Sequence, residues 1–69
     1  MRMQQVSSSM VNAVGYDKKN QTLCVDFNGG KTYEYYDVPI EVYEGLADAG
    51  SVGRYLNSEV KGKYSYSEV

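Results

Sequence analysis

Two groups of residues in this chain have types and spacings that suit chemistry. Tyr33 and Tyr35, with Tyr36 beside them, form one aromatic group, and Arg54, Lys61 and Lys63, followed closely by Tyr64 and Tyr66, form a basic one. Flat rings next to cations are the parts of a single-strand nucleic-acid site, where bases stack on the rings and phosphates sit by the cations. Bond-breaking chemistry finds less support. The chain has no His, no Gly-x-Ser-x-Gly nucleophile turn and no Gly-rich phosphate loop. Cys24 is the lone thiol, so an intramolecular disulfide is excluded, a zinc site is implausible without His, and no sequence neighbour activates the sulfur. Asp26 and Glu34 are a carboxylate pair, but on an open sheet such pairs are more often solvated surface than acid–base machinery. The reading is of a non-enzyme that uses no metal and no cofactor.

The elements that must position these residues belong to one small domain spanning residues 1–69, because a shorter piece could not bury enough surface to fold alone. With 42% hydrophobic and 23% charged residues the composition is that of a folded protein, and a net charge of −2 argues against a dedicated nucleic-acid surface over the whole molecule. Any phosphate contact must be local. Eight Tyr, each carrying a hydroxyl that needs a partner, imply rings at the rim of the core. A core this small is often supplemented by self-association, which makes a homodimer an expectation. No apolar run approaches the roughly 20 residues of a membrane span, so the expected setting is cytoplasmic, with no membrane partner.

Hydrophobic spacing predicts an α+β fold: a three-stranded antiparallel β-meander followed by two short helices packed on one sheet face. The first strand is expected within Val6 to Tyr16, with Met1 to Gln5 fraying or extending it, and Asp17 to Asn20 as its turn. Leu23, Val25 and Phe27 alternate with Thr22, Cys24 and Asp26, the clearest strand pattern in the chain. Asn28-Gly29-Gly30 is a hairpin turn, and Lys31 to Asp37 returns. A three-residue loop pairs Phe27 with Lys31, Val25 with Tyr33 and Leu23 with Tyr35. A two-residue loop would bring Glu34 into the hydrophobic face, so the three-residue register is preferred. It puts Tyr33 and Tyr35 in the core and displays Cys24, Asp26, Thr32, Glu34 and Tyr36 on the open face, where the carboxylates repel phosphate.

Pro39 suits the first position of a helix that carries Val42, Tyr43, Leu46 and Ala49 on one face and Glu41, Glu44 and Asp48 on the other. Gly50 stops it, and Ser51 caps a second helix with Val52, Leu56 and Val60 as its buried stripe. Arg54 and Lys61, seven residues apart, are expected on that helix's polar face. Together with Lys63 they make about three phosphate contacts, for a log–log salt slope near −2. Residues 65–69 alternate Tyr with polar residues and are left open between an edge strand and a disordered tail.

The order and spacing of Gly15-Tyr16-Asp17, Leu23-x-Val25-x-Phe27, Tyr33-x-Tyr35, Val38-Pro39 and Ser51-x-Gly53-x-Tyr55-x-Asn57 resemble the KTSC domain family. That family is named for a domain at the C-terminus of some lysyl-tRNA synthetases and also occurs as small free-standing bacterial proteins; a Tyr-x-Tyr motif is its hallmark. The resemblance implies a small binding module whose role is unestablished, with RNA as the suggested ligand. The alternative from composition is a protein-interaction or self-associating module.

Overall fold

A computed structural model describes residues 3–69. The element order is β1 (Met3–Gln5), β2 (Val11–Asp17), β3 (Thr22–Phe27), β4 (Thr32–Tyr35), α1 (Ile40–Ala47), α2 (Val52–Glu59) and β5 (Tyr66–Glu68). All five strands lie in one antiparallel sheet in the order β1-β2-β3-β4-β5. The α+β class and the two helices agree with the sequence pattern, whereas the sheet has five strands and not three. Of the two readings left open for residues 65–69 the tail is an edge strand, β5, and Met3–Gln5 is a strand of its own, where the sequence reading has a frayed end or an extension of the first strand; both are exposed three-residue edges.

The long first strand predicted from Val6 is interrupted. Ser8 Oγ accepts from the backbone N–H groups of Met10 and Val11, at 3.1 and 3.2 Å, and turns the chain between β1 and β2. A bulge then shifts the pairing of β2 with β3 between Val11 and Ala13. The extra residue lets Val11 and Val14, three apart, both point into the core, where neither is exposed. The irregular apolar spacing of this segment is the imprint of that bulge.

The β3–β4 hairpin has the three-residue register, with Leu23 opposite Tyr35 and Val25 opposite Tyr33. Gly29 and Gly30 take φ of +102° and +91°, and the Phe27 N–H donates to the Lys31 carbonyl at 2.7 Å. Side chains with a Cβ rarely adopt that conformation, which is why the turn is built of Gly. Pro39 is the N-cap of α1, so the helix starts one residue later than predicted, and its C-cap is Asp48, two residues before Gly50. Ser51 caps α2 as expected, its hydroxyl accepting from the Arg54 N–H.

One core cluster joins the sheet to both helices: Val11, Val14, Leu23, Val25 and Tyr35 from the strands, Val38, and Leu46, Val52, Leu56 and Val60 from the helical half. Tyr16 ties the entry of α1 to β2, stacking on Tyr43 at 5.4 Å and donating its hydroxyl to the Val38 carbonyl. Burial first, then Glu41 and Asp17, push the Tyr16 phenol pKa up.

Candidate nucleic-acid interface

The helices cover the middle of the sheet and leave the end of β3 and the β4–β5 edge partly open. Four rings collect there. Phe27 ends β3, Tyr33 and Tyr35 lie two apart on β4 and so share a face, and Tyr66 is directly opposite Tyr35 on β5. Phe27 meets Tyr33 edge-on at 5.4 Å, and Tyr66 stacks on Tyr33 at 5.4 Å and lies 5.7 Å from Tyr35. The Tyr-x-Tyr pair divides its roles. Tyr35 is 2% exposed and belongs to the core, while Tyr33 is half-buried at the rim. Burial, with smaller contributions from Tyr33 and Tyr66, pushes the Tyr35 phenol pKa up, so it stays neutral at physiological pH. Tyr66 keeps 60% of its surface in solvent although it is stacked on one side.

Lys61 brings charge to these rings. The Val60 cap leaves helical geometry at φ −120°, so Lys61 lies in the turn after α2 and not on the polar face it was predicted to share with Arg54. Its Nζ stands over the Phe27 ring at 5.4 Å from the centroid, a cation–π contact. Two hollows meet at this lysine. One, of about 290 Å³, is lined by Phe27, Asn28, Gly29, Lys31, Tyr33 and Lys61. The other, of about 390 Å³, is lined by Tyr33, Tyr35, Lys61, Gly62 and Tyr66. Glu68, in register with Tyr33, puts one carboxylate on the outer side of the ledge.

The other candidate residues lie elsewhere or are engaged. Arg54 lines a separate hollow with the serines at 7–9. Lys63 stands 4.0 Å from Glu59 in an exposed pair, and Tyr64 packs half-buried against the core. Arg54 and Lys61 therefore line different hollows. Phe27 and Lys31 also line this site, beyond the residues the sequence reading names, and their pairing across the hairpin turn is the signal that points to them. On the opposite sheet face Asp26 accepts from Asn12 Nδ2 at 3.0 Å and from Thr32 Oγ1 at 3.3 Å, and Glu34 accepts from the Tyr36 hydroxyl at 3.3 Å. Burial first, then Glu34 and Asp26, push the Cys24 thiol pKa up, the opposite of what an activated nucleophile needs. Among the described residues no group of three or more His, Cys, Asp or Glu is placed to hold a metal ion, and no helix is long and apolar enough to cross a membrane.

The architecture and its rim of aromatics define a small α+β domain of a single five-stranded sheet with two helices. The chain belongs to the KTSC domain family, whose model matches residues 7–64. A protein of Tsukamurella paurometabola is 48% identical over 62 residues, 90% of this chain and 92% of that relative. A lysine–tRNA ligase of Nostoc punctiforme is 38% identical over 61 residues, which are 88% of this chain and 11% of the ligase. A crystal structure of a KTSC domain protein from Yersinia pestis superimposes with a TM-score of 0.93 at 35% identity, covering 99% of this chain and 96% of that one.

Proposed function

We propose that this domain is a non-catalytic module of the cytoplasm that binds unpaired RNA weakly, through the ledge of Phe27, Tyr33 and Tyr66 beside Lys31 and Lys61. The observation that carries the reading is Tyr66, a large ring 60% exposed, stacked at 5.4 Å on a second ring in a hollow that Lys61 also lines. An aromatic left open next to an ammonium group is what base stacking with phosphate pairing requires. The match to part of a lysine–tRNA ligase supports the same ligand class by analogy. Lys31 and Lys61 are the cations that line the ledge hollows, with Arg54 in another hollow, so about two phosphate contacts are expected and the salt slope falls to about −1.4.

A salt titration of a fluorescent single-stranded RNA tests this. Lys31→Gln combined with Lys61→Gln is expected to bring binding to background, while Arg54→Gln leaves it unchanged. Loss in the Arg54 variant with retention in the double variant would move the site to the other hollow. Absence of binding by the unmodified protein at low salt would favour association between copies through the outer edge of β5, where Tyr66 and Val69 are 60% and 65% exposed.

A further inference from the structure

Resting on that reading, we infer that the smallest complete ligand of the ledge is two consecutive unpaired nucleotides joined by one phosphodiester at Lys61. The two hollows share two lining residues, Tyr33 and Lys61. Tyr33 is the wall between them and Lys61 is the cation common to both. Their volumes of about 290 and 390 Å³ lie just below and just above the bottom of the range of about 300–1,000 Å³ typical of small-molecule sites, which suits one base each. A phosphate linking two such bases falls beside the shared ammonium group. Lys31 lines the first hollow alone, so it is not positioned to serve both.

Bases inside a duplex have both faces covered by their stacked neighbours, so only unpaired bases can lay a face against Tyr33 or the open side of Tyr66. Glu68 borders Tyr33 from the β5 side, so repulsion there directs the phosphate toward Lys61. Gly29 and Gly62, each with open space where a Cβ would stand, leave one rim of each hollow clear.

The test is a set of NMR titrations of the full chain with uridine monophosphate, the dinucleotide UpU, the trinucleotide UpUpU, a ten-residue oligouridine and a UpU analogue with an uncharged methylphosphonate link. The step from one to two nucleotides is expected to tighten binding about tenfold, as one further stacked base does elsewhere. The third nucleotide should add no more than about threefold, and the uncharged link or Lys61→Gln should weaken UpU several-fold, because the shared phosphate contact is lost while both bases remain. Affinity that rises tenfold again from two nucleotides to three, or a monophosphate that binds as well as UpU, overturns the two-nucleotide site. So does an uncharged analogue that matches UpU. If the ten-residue strand binds and UpU does not, this inference fails and the RNA reading stands; if neither binds, both fall.

Discussion

Tyr35→Ala is expected to destabilise the domain by about 3–5 kcal/mol, the usual cost of removing a buried aromatic, and Tyr36→Ala by less than about 1 kcal/mol. The two residues are adjacent, yet Tyr35 is 2% exposed opposite Leu23, while Tyr36 lies on the far face, where its hydroxyl reaches Glu34 at 3.3 Å. Removing Tyr35 also takes away the ring that Tyr66 leans on at 5.7 Å, which loosens the β4–β5 pairing. A single core in a domain of this size supplies only about 3–5 kcal/mol, so the Tyr35 variant should be near unfolding at room temperature. Urea melts of both variants measure the difference. Equal losses, or a larger loss for Tyr36, would contradict the hairpin register on which the ledge is built.

Tyr66→Ala is expected to have its large effect on ligand and not on fold. RNA affinity should drop about tenfold, and by up to about a hundredfold if Tyr66 carries a full base, because stacking contributes about 1–3 kcal/mol per base. Stability should change by no more than about 1 kcal/mol, since the ring is largely in solvent and β5 is a three-residue edge. Tyr66→Phe keeps the flat face and should bind like the parent protein, which separates stacking from any role of the hydroxyl. Fluorescence anisotropy gives the affinities and urea melts of the same preparations give the stabilities. A Phe variant as weak as the Ala variant would assign the contact to hydrogen bonding instead.

Much of this arrangement is legible in the sequence where a single physical constraint dominates. Leu23, Val25 and Phe27 alternate because one sheet face is buried, and the acidity of Glu34 is enough to choose the register that keeps it out of the core. Ser51 and the stripe of Val52, Leu56 and Val60 show α2 equally plainly. Where two constraints compete the pattern misleads. The bulge at Val11 and Ala13 breaks the alternation of β2, and the edge strands β1 and β5 are short and exposed, so the pattern alone does not choose between a strand and a loose end for either.

The candidate site is less legible in the sequence, because it depends on where the chain leaves regular structure. Continuing helical spacing through Lys61 puts it beside Arg54, but α2 ends at Glu59 and Val60 leaves helical geometry at φ −120°, after which Lys61 stands over Phe27. Phe27 follows the core alternation and yet sits at the end of its strand, half-buried where the ledge begins. Tyr33 and Tyr35 share a face, and the difference between ledge and core comes from how far along the strand the packed elements reach.

The most direct test of the ledge is a map of backbone amide shifts in a ¹⁵N-labelled full chain titrated with oligouridine. The account predicts that the largest saturable changes fall on Phe27, Tyr33, Lys61, Gly62 and Tyr66, with Cys24 and Glu34 on the opposite face and Ser8 and Arg54 in the separate hollow left unmoved. Changes concentrated at Arg54 and the serine turn, or on the face of Cys24 and Glu34, would contradict it.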